Sequence, residues 1–412
     1  MGIPRGHWAV FDFAGIAPRD IHTTDPMMGR RLTLNELVGG MPVLLAFCLP
    51  LHPRSSTWLL LLFLPFWIAA GVKRMWNWQS ASWSHLSMMA LYLWMVIGML
   101  WTSDVPRGWF ALEVKASMLL IPLIFLSSRI HPADWKRGWV IGCALMVAFR
   151  GLTFALGWDG AGWRYADWTG PFHPTYLAMY WGWAICLLDR HAMRWLIPVF
   201  AAAIGLAASK AGWLGGLFAL GLALTFGREF RWPVATGVLA LLCFGALADQ
   251  GRLSEFVHHA PPMERVQSVE ESTSAQGSTG GRVQAWTVAR QVWFEHLFVG
   301  TGPGDFELEV LPRYKSAGME YAAVHRLNAH SVYLQLLVTS GLMGLLLLMS
   351  WWGTAAWIQW TRKNWGGLGC LLLLFFNGLF ESLLELQQGI VAVVFLTFVL
   401  SVSNHADAQL QT

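Results

Sequence analysis

Uninterrupted apolar blocks dominate this sequence, each roughly 17–25 residues long, the length a hydrocarbon layer of about 30 Å requires of a helix. In lipid every backbone polar group must find its partner internally, so each block reads as a helix. A transmembrane barrel would instead alternate polar and apolar residues over strands of about ten, and these blocks do not alternate. Composition agrees: 55% of the 412 residues are hydrophobic and 13% are charged, against about 25% charged in soluble domains. The expected fold is all-α and polytopic, with about twelve transmembrane helices and one large loop. The spans fall near 34–51, 57–72, 83–101, 110–127, 138–157, 174–189, 193–209, 211–227, 232–249, 331–360, 366–381 and 386–403.

Lys/Arg bias in short connections sets orientation. One side carries Lys73–Arg74, Arg129 with Lys136–Arg137, Arg190 with Arg194, Arg228 with Arg231, Arg362–Lys363, and four arginines before residue 34. The short connections of the other side hold Arg54, Arg107, Arg164 and Lys210. Both termini are therefore expected in the cytoplasm and the loop outside. The division is 1–33 cytoplasmic segment, 34–249 helices one to nine, 250–330 extracytoplasmic loop with amphipathic helices, 331–403 helices ten to twelve, and 404–412 cytoplasmic tail. No cleavable signal peptide is expected, because residues 1–33 are polar and mixed.

Many of the 26 tryptophans sit at block ends, among them Trp58, Trp76, Trp78, Trp101, Trp109, Trp158, Trp195, Trp232 and Trp365, as expected of an interfacial belt. Cys48, Cys143, Cys186, Cys243 and Cys370 all fall inside apolar blocks, without CxxC spacing. They read as small buried hydrophobes, not disulfides or metal ligands.

The chemistry is sought where the loop meets the helices. Loops this long are usually functional or disordered. Glu270–Gly281 is flexible in composition, but from Arg282 the sequence turns helical, with Val283, Trp286, Ala289 or Arg290, and Trp293 forming an expected apolar stripe. Arg282 is expected as the first residue of this helix, where free N–H groups and a planar guanidinium suit phosphate; the alternative is an exposed arginine beside a glycine turn. GTGPGDF (300–306) lacks the strand context of a dinucleotide fingerprint and reads as a tight turn with close backbone approach. His330 stands where the loop re-enters the membrane, either as a general base or as a solvated helix-end histidine. His325 competes with it; His258, His259 and His296 show no ligand spacing. Lys210 occupies the shortest outer connection, as an anion ligand or a snorkelling lysine. Arg164 and His173 come from another outer loop. Lys115 and Arg150 lie within spans, where charge is costly and functional by default. No short outer loop carries a DxD-like pair. Asp305, Glu307 and Glu309 are the one acidic cluster noted, expected as a solvated face.

Together these segments resemble the bacterial O-antigen ligase superfamily, which includes O-antigen ligases, the related polymerases and O-linked oligosaccharyltransferases. The resemblance lies in Ser209, Lys210, Gly212, Leu214 and Gly215; in Arg282, Trp286, Gly300, Gly302 and Gly304; and in His330, Tyr333, Leu334, Gln335, Gly341 and Gly344. The family commonly has arginine at the position of Lys210 and often asparagine at that of Ser331. The long C-terminal soluble-side extension of many oligosaccharyltransferases is missing, which favours a ligase. The resemblance implies a GT-C-like inner-membrane glycosyltransferase that moves a glycan from undecaprenyl diphosphate to a lipid A-core sugar on the periplasmic face. Lys210, Arg265 and Arg282 would bind the donor diphosphate and His330 would be the base. Transfer would invert the anomeric centre and use no metal or other cofactor. Membrane lipids are the surrounding partner, and no nucleic acid is implied. Polymerase or oligosaccharyltransferase activity is the alternative within the enzyme class, and a lipid or solute transporter is the alternative outside it.

Overall fold

A computed structural model describes residues 34–73, 76, 78–127, 135–157, 168–188, 193–226, 228–248 and 278–402. The regular structure among them is entirely helical. In chain order the helices are α1 (Leu34–Cys48), α2 (Ser55–Val72), α3 (Trp83–Gly98), α4 (Val105–Lys115), α5 (Ser117–Leu126), α6 (Trp135–Gly157), α7 (Pro174–Leu187), α8 (Leu196–Leu206), α9 (Lys210–Ala223), α10 (Arg231–Ala248), α11 (Ser278–Glu295), α12 (Phe306–Ser316), α13 (Glu320–Val324), α14 (Val332–Thr361), α15 (Trp365–Gly378) and α16 (Gln387–Ser401). Every expected block contains a helix. Among the described residues, five segments are long and apolar enough to cross a membrane: Ser55–Val72, Val105–Leu126, Trp135–Gly157, Arg228–Ala248 and Val332–Thr361.

The main core is built from the apolar faces of these helices, with Trp139, Trp181, Trp183, Trp351 and Trp352 fully buried in it. Three of these five indole N–H groups have an acceptor. Trp139 donates to the Tyr180 carbonyl at 3.2 Å, Trp183 to the Cys370 carbonyl at 3.1 Å and Trp351 to Thr397 Oγ1 at 3.1 Å. The block-end residues Trp58, Trp109, Trp195 and Trp232 are exposed instead, as a belt requires. The cysteines are all free, but the expectation that all are buried is corrected. Cys243 is exposed and Cys48 only half-buried.

A second, smaller core joins the loop helices. Ala285, Val288, Ala289 and Val292 of α11 pack with Val310 and Tyr314 of α12 and with Val338 of α14. This corrects the expected stripe of α11. The face that turns inward is Gln284, Ala285, Val288, Ala289 and Val292; of the expected stripe Ala289 lies on it and Trp293 packs at its edge, while Val283 and Trp286 are only half-buried. Small side chains win because the helix packs closely against its neighbours: a Cβ on Gly281 would lie 3.1 Å from Leu327 and Tyr321.

The span expected as one straight helix over 331–360 is corrected more sharply. In α14, Gly341 has φ +65° and ψ −166°, which is not helical. A straight helix would hold Leu336 and Gly344 about 12 Å apart and Tyr333 and Trp352 about 28 Å apart. Instead a Cβ on Gly344 would lie 3.8 Å from the Leu336 carbonyl oxygen, and the Tyr333 and Trp352 rings are 6.2 Å apart. The chain therefore folds back at Gly341. A short arm, Val332–Ser340, lies beside a long arm, Leu342–Thr361.

Buried backbone groups freed by such a reversal need partners, which the segment 297–302 and Trp94 supply. Thr301 N donates to the Val338 carbonyl at 2.8 Å and Gly302 N to the Thr339 carbonyl at 3.0 Å. Leu342 N donates to the Leu297 carbonyl at 2.9 Å and Met343 N to the Phe298 carbonyl at 3.3 Å. Trp94 Nε1 takes the Ser340 carbonyl at 2.9 Å. The turn at 300–306 is thus a close backbone approach, as its glycines suggest. Gly300 has φ +73°, and a Cβ there would sit 2.5 Å from Ser340 N. Gly300→Ala is expected to destabilise the protein by at least about 1–2 kcal/mol, the cost of left-handed backbone for a residue with a side chain. Thermal unfolding of purified protein checks this; an unchanged Tm would refute it.

Asp305 departs from its expectation as a solvated residue. It is buried and accepts from Ser103 N and Asp104 N, both at 2.7 Å. Glu307 pairs with Arg107 at 3.1 Å and Glu309 with Arg313. Asp305 and Glu307 thus fasten the loop to the start of α4.

Candidate functional site

Arg282 and Thr175, from separate stretches of chain, meet at one buried carboxylate. Glu381, 4% exposed, lies in the connection between α15 and α16. Arg282 Nη2 approaches its Oε1 at 3.3 Å, and Thr175 Oγ1 donates to the same oxygen at 3.2 Å. Thr175 Oγ1 is also 2.8 Å from Ser209 Oγ. Ser209 is the N-cap of α9, accepting from Gly212 N at 3.2 Å. The shortest outer connection thus joins the cluster through Ser209. Lys210 follows it as the first residue of α9, half-buried.

His330 reaches the same place from the loop. It is held in left-handed backbone at φ +42°, a conformation in which histidine, asparagine and aspartate are enriched several-fold. The residues around it fix that turn. His330 N donates to Asn328 Oδ1 at 2.9 Å, Ala329 N to Gln335 Oε1 at 3.1 Å and Ser331 Oγ to the Gly378 carbonyl at 3.3 Å. Ser382 Oγ, next to Glu381, also donates to Asn328 Oδ1 at 3.4 Å. His330 Nδ1 is buried without a partner among the described residues. Burial pushes the His330 pKa down from 6.5. The Glu381 carboxylate opposes that shift, while Arg282 and His173 add to it.

A second pair lies alongside. Lys115, expected to be functional by its position in a span, is buried and pairs with Glu385 at 2.9 Å. His173 N donates to Gln388 Oε1 at 3.3 Å. Arg150, the other charge within a span, donates from Nε to the Trp168 carbonyl at 2.7 Å.

The structure brings together Arg282, His330 and the residue preceding Lys210. Arg265, with the rest of 249–277, lies outside the described residues, as do Arg164, His258 and His259. His325 is exposed, its ring 4.4 Å from that of Tyr321. Arg282 is not the first residue of its helix: α11 begins at Ser278, so Gly280 and Gly281 are helical. The helix-end contribution to anion binding, which fades within the first turn, is therefore weaker at Arg282 than expected. Sequence reasoning missed Glu381 and Glu385 altogether. Their signal was present in ESLLE (381–385), two carboxylates four residues apart between apolar blocks, where charge is costly and needs a partner. Among the described residues no group of three or more His, Cys, Asp or Glu is placed to hold a metal ion.

The fold and this site define a multi-pass helical membrane protein whose buried charges gather with an imidazole where loop helices meet the ends of the membrane helices. Residues 195–349 match the family model described as O-antigen ligase. The match runs from α8 through the loop helices into the long arm of α14. It includes Lys210, Arg265, Arg282 and His330, and stops short of Glu381. No curated protein matches the chain.

Proposed function

We propose that the protein is an O-antigen ligase of the bacterial inner membrane, with both termini cytoplasmic and the site facing the periplasm. It joins a glycan from undecaprenyl diphosphate to a sugar hydroxyl of lipid A-core. The observation that carries the reading is the Arg282–Glu381 ion pair beside the His330 turn, whose Asn328 accepts from both His330 N and Ser382 Oγ. His330 takes the proton of the acceptor hydroxyl, whose oxygen attacks the anomeric carbon. The bond from that carbon to the diphosphate breaks, and the configuration inverts. Charge grows on the leaving diphosphate, where a preorganised cation lowers the barrier most. Arg282, Lys210 and Arg265 supply that charge. Glu381 contacts a single guanidinium nitrogen, so the other donors of the fork remain for phosphate oxygens. The same carboxylate favours the imidazolium that His330 becomes.

The helix reversal at Gly341 bears on the transporter alternative. Transporters use freed backbone groups of broken helices to hold ions; here carbonyls at the break are taken by Thr301, Gly302 and Trp94.

The deciding experiment is reaction of purified protein with lipid-linked glycan and lipid A-core. Glycan attached to lipid A-core, with turnover retained in excess chelator, supports the proposal. Lengthened lipid-linked glycan would make the protein a polymerase, glycosylated protein an oligosaccharyltransferase, and movement across a vesicle without bond formation a transporter.

The pH dependence has a definite sign. The neutral imidazole is the base, and its pKa lies below 6.5. Activity is expected to hold through neutral pH and to fall only as pH drops through that lowered value. Glu381 raises the His330 pKa, so Glu381→Gln is expected to move the acid limb of kcat/KM to still lower pH. A limb that moves upward would contradict the arrangement.

A further inference from the structure

Two independent rulers measure how far the site lies from the rim of the molecule. The turn at 300–305 marks an upper level, because it bonds both to Thr339, beside the reversal at Gly341, and to Asp104, the N-cap of α4. The connection between α15 and α16 marks a lower one. Glu385 meets Lys115, ten residues along from Val105, and ten residues of helix rise about 15 Å. Ser331 bonds to the Gly378 carbonyl and Tyr333 packs on Trp352, eleven residues or about 16 Å beyond Gly341. The helices that lead to the site are correspondingly short. α15 has 14 residues and α16 has 15, about 21–22 Å where a hydrocarbon core needs about 30 Å. α7, α8 and α9, whose ends carry Thr175 and Ser209, have 14, 11 and 14 residues.

We propose that the connection Leu379–Leu386 is a membrane-embedded shelf, set roughly 10 Å below the rim once side-chain reach is subtracted from these rises, and that acyl chains of the leaflet on that side cover it. The partner of this surface is the lipid itself. Glu381 and Ser382 point inward and are buried, whereas Leu379 and Leu386, at the two ends of the shelf, are 47% and 44% exposed. A polar loop at such depth is tolerated when its polar groups face protein, as these do, and its outer edge is apolar. This inference rests on the membrane architecture and not on the glycosyl-transfer reading.

The test uses full-length protein in phosphatidylcholine–phosphatidylglycerol vesicles. Cys48 and Cys243, the two native cysteines that are not buried, are replaced by serine. Leu386→Cys and, separately, Val105→Cys carry a nitroxide spin label. Val105 is 44% exposed at the rim. Relaxation by oxygen and by a water-soluble nickel chelate gives the depth of each label. The Leu386 label is expected to collide more with oxygen and less with nickel, lying roughly 10 Å deeper than the Val105 label. Leu379→Cys gives a second reading if Leu386→Cys fails to fold. Equal depths, or greater nickel access at the shelf, would overturn the proposal whether or not the protein transfers glycan.

Discussion

Replacing His330 by asparagine is expected to lower glycan transfer by about 10²–10⁴-fold, the range contributed by a positioned general base. Asparagine is the informative choice. His330 sits at φ +42°, which asparagine adopts more readily than alanine does. The backbone contacts of Asn328, Ala329 and Ser331 are then retained, and the loss reports the imidazole instead of a displaced loop. The protein should insert and unfold near its usual Tm while kcat collapses. No other described imidazole stands on this turn: His173 comes from the start of α7 with its own Nδ1 buried and unpartnered, and His325 is on the exposed side of the loop. Near-normal kcat in the asparagine variant would remove His330 from the chemistry.

Arg282→Ala is expected to cost about 10²–10³-fold in kcat, comparable to removing one donor from a preorganised charge-stabilising site. It also strips Glu381 of its cation. Removing one member of a buried pair destabilises by about 3–5 kcal/mol, so the single variant confounds folding with catalysis. The double variant Arg282→Ala with Glu381→Gln removes both charges and should recover stability without recovering turnover. Arg282→Lys keeps the charge but not the planar fork that serves a carboxylate and a phosphate at once, and only partial activity is expected from it. Full activity in the double variant would mean that Arg282 serves the fold alone.

Several features were legible because their causes are local. Apolar blocks report the solvent that each segment must face, so the helices fall where hydropathy puts them. The glycines of 300–304 announced a close approach, and Gly300 and Gly302 do adopt positive φ. Lys115 announced a partner by being charged within a span, but not which one. The register of α11 was misjudged because bulk was taken as the mark of the inward face. Close packing on α12 and α14 selected alanine and valine instead.

By itself, then, the sequence determined an all-helical membrane protein, the helical blocks, and a loop whose arginine and histidine had to be explained. Tertiary structure alone decided that Arg282 meets Glu381, 99 residues away, that Lys115 meets Glu385, and that α14 reverses at Gly341. The physical reason is the range of the forces involved. Burial of apolar surface in lipid acts on each segment separately, whereas the choice of partner for a buried charge or a freed carbonyl depends on which distant segments the packing brings within about 3 Å.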